Sequence, residues 1–142
     1  MKYRYLIGID TGVHTGYALW DLESRELWDV DTLTVTQALL RVKAVSEAYR
    51  VKVYFEDARQ RRWIPDTHNL SREMGRRQGA GSVKRDCQIW EDFCKENGIP
   101  YEAVAPQRNR TKLSAEAFAR LTGWKGRTNE HGRDAAMLVF GK

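Results

Sequence analysis

Four residues in this sequence pair chemically useful side chains with positions where they could meet. Asp10 closes the run YRYLIGID and Glu56 closes VKVYFE, so each is a carboxylate at the end of an apolar, β-type stretch. A carboxylate that ends a buried strand must sit at the rim of its sheet, where sites on open α/β sheets gather. His131 and Asp134 are three positions apart, so on a helix they project from one face. Hydrolysis of a phosphodiester by two cations about 3.5–4 Å apart needs several oxygen donors, one ion orienting water and the other stabilising the leaving oxygen. Asp10 would bridge the two ions. Other readings exist for each residue. Asp57, next to Glu56, could be the ligand instead, because strand ends shift by a few residues. Asp10 could be a turn residue ahead of Gly12, and His131 could cap the first turn of its helix. An imidazole ligand also suits manganese better than magnesium.

The elements that must position these groups can be read from periodicity. Residues 3–10 form a nearly continuous apolar run, with Tyr5, Ile7 and Ile9 on one side and Leu6 joining them, as in a central strand. Gly12 and Gly16 bracket a tight turn. A second strand from Tyr17 to Asp21 and a third from about Arg25 to Leu33 follow, with connections short enough for an antiparallel meander. Thr34 or Thr36 can cap a helix carrying Leu39, Val42, Val45 and Tyr49 at helical spacing. Residues 51–56 are a fourth strand. Residues 57–81, interrupted by Pro65, Gly75, Gly79 and Gly81, read as a long loop with one helical turn at most. Val83, Cys87, Trp90 and Cys94 then make one apolar stripe of a helix over 82–97, ended by Gly98 and Pro100. This stripe is either sheet-facing core or a dimer surface. A strand from Tyr101 to Ala105, a basic loop, and helices over about 114–121 and 129–140 complete the order βββαβαβα with one extra helix. Helical connections make strands one, four and five parallel, with strands two and three on one edge. The predicted fold class is α/β, a five-stranded mixed sheet flanked by helices, in a single domain spanning residues 1–142.

Charge is unevenly spread. Residues 59–85 hold eight Lys/Arg against two Asp/Glu, and residues 105–127 hold six against one, in a chain of net charge +5. The rest of the sequence is acidic in balance, so two basic regions stand on an acidic body, as a phosphate-binding surface would. The candidate nucleic-acid contacts are Arg59, Arg61, Arg62, Trp63, Arg76, Arg77, Lys84, Arg85, Arg108, Arg110 and Lys112. Arginines can grip phosphates while an exposed Trp63 stacks on an unpaired base, although a buried Trp63 fits as well. No apolar run is long enough to span a bilayer, and the N-terminus turns directly into a strand pattern where a secretory signal would continue apolar. Cys87 and Cys94 would be roughly 10.5 Å apart on one helix, too far to bridge, and lack further Cys or His at metal-binding spacing. Reduced, buried cysteines fit a cytoplasmic protein.

The segments IGIDTGVHTGYALWD, YFED and HGRDAAM together resemble the motifs of the RNase H-like nucleases and, within them, the RuvC-type Holliday junction resolvases. The resemblance covers nearly the whole chain, and the family's last motif has a His or Asp three residues before an Asp-Ala pair. It implies an RNase H-like fold, with Asp10, Glu56, His131 and Asp134 as the metal-binding catalytic set for two Mg2+ or Mn2+ ions. It also implies that Lys112 lies near the scissile phosphate and that a homodimer acts on branched DNA, cutting four-way junctions by paired nicks. Thr11 stands where bacterial resolvases usually have Pro, and the chain is shorter than theirs. The shorter chain suggests a phage or mobile-element version, acting in the cytoplasm of a bacterial or phage-infected cell, and the two departures bear on junction specificity more than on nuclease chemistry. Two other functions fit part of the pattern. A ribonuclease H acting on RNA–DNA hybrids would use Asp10 with Glu47 as its helical carboxylate, against which the HGRDAAM ending argues. A non-catalytic nucleic-acid-binding module would explain the basic segments without metal.

Overall fold

The computed structural model describes residues 2–60, 70–106 and 112–142, and of residues 70–80 the backbone alone. Strands β1 (Tyr5–Asp10), β2 (His14–Asp21) and β3 (Glu26–Thr34) form the meander. Helix α1 (Val35–Ala48) leads to β4 (Val51–Glu56), and after a short 3-10 turn (Ala58–Gln60) helix α2 (Leu70–Glu96) leads to β5 (Tyr101–Val104). Helices α3 (Ala115–Thr122) and α4 (Glu130–Met137) follow. The five strands lie in the order β3-β2-β1-β4-β5, with β1, β4 and β5 parallel and the meander antiparallel on one side. Topology and fold class therefore agree with the sequence reading.

Side chains of a strand alternate between faces, and β1 uses both. Tyr5, Ile7 and Ile9 enter the core beneath α1 and α2, while Leu6 enters the core beneath α3 and α4. Being buried on both sides explains why β1 reads as a continuous apolar run rather than an alternating one. The stripe Cys87, Trp90 and Cys94 belongs to the first of these cores, together with Val42, Val53 and Phe55. Its burial removes these residues as an exposed docking surface; Val83, at the same helical spacing, is partly exposed.

The last helix ends at Met137, short of the expected 140, and two further element boundaries differ from expectation for physical reasons. The helix expected over 82–97 begins at Leu70, inside the segment read as loop. Gly75, Gly79 and Gly81 do not interrupt it, because each helical glycine costs only about 1 kcal/mol against alanine and good helix formers surround them. Strand β2 starts at His14, not Tyr17, because the hairpin pairs Asp10 with Gly16 and carries on to the turn. Of the two candidate caps for α1, Thr34 is the one used, its hydroxyl accepting from the Gln37 amide while the Gln37 side chain accepts from the Thr34 amide.

Away from the rim that carries Asp10, Asp21 ends β2 fully buried and accepts hydrogen bonds from the Arg4 guanidinium (3.1 and 3.3 Å), the Glu23 amide (2.9 Å) and the Ser24 hydroxyl (3.0 Å). Burial opposes the charge, but these donors outweigh it and hold the carboxyl below its ordinary range. A carboxyl depressed in the folded state contributes stability that is complete above its unfolded value, about pH 4, and disappears as pH falls through the folded value. Asp21→Asn is therefore expected to lower the melting temperature at neutral pH and to flatten its decline below about pH 4. Thermal melts across pH 2.5–7 test this, and an acid limb as steep as wild type would remove Asp21 as its source.

Candidate active site

The C-terminal ends of β1 and β4, which are paired neighbours, bring Asp10 and Glu56 to the same rim. Helix α4 crosses this rim from the opposite face and supplies His131 and Asp134. Its start is set by Asn129, whose side chain accepts from the amides of His131 (2.9 Å) and Gly132 (3.4 Å) and is itself bonded to the Thr32 hydroxyl of β3. The helix can lie this close because its inner face is Gly132, Ala135 and Ala136 and because the sheet beneath it offers glycines. A Cβ at Gly8 would stand 2.1 Å from the Ala135 carbonyl oxygen, and one at Gly16 would stand 1.9 Å from that of His131. Small residues in HGRDAAM and glycines in the first two strands thus form one packing device.

Within the site, His131 Nδ1 lies 3.0 Å from Asp10 Oδ2. Burial is the main cause pushing the Asp10 carboxyl up, and the charges of Asp134 and Glu56 push the same way, while the hydrogen bond and charge of His131 oppose them. A partly buried group of like charges of this kind is stabilised by a cation. Its hard oxygen donors fit Mg2+ or Mn2+, with His131 the donor that favours the latter. Among the described residues, no three His, Cys, Asp or Glu side chains converge closely enough to cage an ion as they stand. Asp57, the other candidate at the end of β4, is committed elsewhere: its carboxylate takes a bidentate pair from Arg59 at 2.8 and 3.0 Å and is held below the usual range.

Lys112 reaches the site, with Nζ 3.7 Å from Asp134 Oδ2. The segment that carries it is tied to α4 by Arg133, which donates to the Leu113 carbonyl at 2.9 Å. Lys84 and Arg85 are exposed on α2. Arg59 is not a free cation, since it bonds Asp57, Gln88 and Glu91. Arg61, Arg62, Trp63, Arg108 and Arg110 lie outside the described residues, as do the side chains of Arg76 and Arg77. Sequence reading found no partner for His14, whose ring stacks 6.0 Å from that of His131. The available signal is its place between Gly12 and Gly16, in the tight turn that follows Asp10. Glu47 shares a cavity of about 680 Å³ with Tyr3, Arg50, Val51 and Pro100, at the strand starts rather than the strand ends. It is thus on the wrong rim to serve with Asp10, which corrects the ribonuclease H alternative that relied on it.

A mixed sheet of this order, covered by helices on both faces and ending two adjacent parallel strands in carboxylates, is the RNase H-like α/β fold. Among solved structures the chain is similar to RuvC of T. thermophilus in complex with a Holliday junction substrate, at 19% sequence identity and a TM-score of 0.59, over 96% of this chain and 90% of that one. The likeness establishes a RuvC-like fold. The sequence matches no protein-family model and no curated protein.

Proposed function

We propose that this chain is a metal-dependent endonuclease that hydrolyses DNA phosphodiesters and acts, as a homodimer, on branched DNA of the four-way junction type. The observation that carries the reading is the grouping of Asp10, Glu56 and Asp134 close enough for the latter two to raise Asp10, with His131 bonded to it. Asp10, Glu56, Asp134 and His131 would hold Mg2+ or Mn2+. Bound there, the ions would supply an activated water and a counter-charge for the leaving oxygen. Lys112, beside Asp134, binds a phosphate oxygen and keeps the strand over the carboxylates. Exposed Lys84 and Arg85 hold the backbone further along. One domain offers one such site, whereas resolving a junction takes two opposed cuts, so a twofold pair of chains matches a roughly twofold substrate.

Synthetic four-way junctions, forks, RNA–DNA hybrids and linear duplexes, each strand labelled in turn, test the reading. Paired nicks at symmetry-related positions are expected in Mg2+ or Mn2+, while Ca2+, larger and more loosely coordinated, should allow binding with little product. Full activity in chelator would end the metal mechanism. A chain that stays monomeric on its substrate in sedimentation, or that cuts hybrids far faster than junctions, would end the resolvase reading and leave the fold untouched.

A further inference from the structure

Arg59 stands three residues after Glu56, in the basic segment that borders the site, and its surroundings contradict a role on phosphate. Nε donates to Asp57 Oδ1 at 2.8 Å, and the two terminal nitrogens donate to Asp57 Oδ2 (3.0 Å), Glu91 Oε2 (2.8 Å) and Gln88 Oε1 (2.9 Å). A guanidinium has five N–H donors in a fixed fork, and here nearly all are engaged. Two carboxylates offset its charge, and Lys95 pairs with the other oxygen of Glu91 at 3.4 Å, so the cluster is balanced without an outside anion. An incoming phosphate would have to displace a bidentate carboxylate, a charge-assisted pair of the same strong class as its own.

The same contacts join two elements. Gln88 and Glu91 lie on α2, while Asp57 follows Glu56 directly, and its amide donates to the Val104 carbonyl of β5 at 2.7 Å. One turn earlier on α2, buried Cys87 places its Sγ 3.7 Å from the Glu56 carbonyl oxygen and 4.0 Å from the Thr11 hydroxyl. Helix α2 is therefore fastened to the rim just beyond both Asp10 and Glu56.

We propose that Arg59 is a positioning residue that locks α2 to the backbone after Glu56, and so holds the Glu56 carboxylate in place for the reaction, rather than a DNA ligand. This rests on the nuclease reading above. The clamp also ties the exposed basic residues of α2 to the carboxylates, so that DNA held by Lys84 and Arg85 keeps a constant relation to the cutting site.

The test compares Arg59→Lys, Arg59→Ala and Glu91→Gln for junction cleavage, for junction binding in Ca2+ across a salt series, and for Mn2+ affinity by titration calorimetry without DNA. The clamp predicts that kcat falls about tenfold or more in all three, since small misplacements near the chemistry are costly. KM and the salt slope should hold, while Mn2+ binding weakens. Lysine keeps the charge but not the fork, so it should fail nearly as alanine does. A phosphate-binding Arg59 predicts the reverse: Arg59→Ala reduces the salt slope by about one ion, Arg59→Lys is largely tolerated, and Glu91→Gln tightens binding by releasing the cation. That pattern would overturn the proposal. If Arg59→Ala does not fold, Arg59→Lys and Glu91→Gln decide the matter. If wild type cleaves no DNA, the nuclease reading fails by itself, and unchanged Mn2+ affinity in the variants would separately defeat the clamp.

Discussion

On the proposed reading, Asp10→Asn is expected to reduce junction cleavage by at least about a thousandfold, because it removes the negative charge of a group that would hold the metal. The change is nearly isosteric, so the fold and DNA binding in Ca2+ should survive. Asp10 is partly buried, and burial together with Asp134 and Glu56 already disfavours its charge. In metal-free buffer the neutral variant should therefore melt at or above the wild-type temperature. Stability and activity would move apart, as they do where a site is built for function at the expense of the folded state. Single-turnover cleavage at saturating enzyme measures the chemical step directly. Turnover within tenfold of wild type would remove Asp10 from the chemistry, and a large fall in melting temperature would show that its role is structural.

Trp90→Glu is expected to abolish folding rather than to release monomers. Trp90 is 1% exposed and packs edge-on against Phe93 in the core shared by β1, β4 and α1. Truncating a buried Trp costs about 3–5 kcal/mol, and an unpaired carboxylate in its place adds several more. Domains of this size are stable by only about 5–15 kcal/mol in total. The control is Val83→Glu, exposed near the middle of the same helix, which should shift stability by no more than about 0.5 kcal/mol. Circular dichroism melts and sedimentation distinguish the outcomes. A Trp90→Glu protein that folds, melts near wild type and sediments as a monomer would restore the stripe as an interface.

Much of the site was legible because its signals are local. Asp10 and Glu56 could be recognised as rim residues from the apolar runs they end, and His131 and Asp134 as co-facial from their spacing. Glu56 is favoured over Asp57 by the sequence, but the bidentate pair that commits Asp57 to Arg59 is visible only in the structure. The stripe Val83, Cys87, Trp90 and Cys94 was read correctly as one helical face, but a periodicity names a face without naming what it packs against. Glycine carries opposite meanings at two places: α2 tolerates it within the helix, whereas at Gly8 and Gly16 the close approach of α4 requires it.

Sequence alone determined the order of elements, the parallel placement of β1, β4 and β5, and the residue types at the strand ends, because side-chain period and connection length are properties of short stretches of chain. Tertiary structure decided which of the charged groups are free to act. It spent Arg59 on Asp57 and Glu91, set Glu47 at the opposite rim, and brought His131 to Asp10 across 121 positions with His14 beside it. Those outcomes depend on distances between elements distant in the chain, and a charge's availability is fixed by its neighbours in space rather than by its neighbours in sequence.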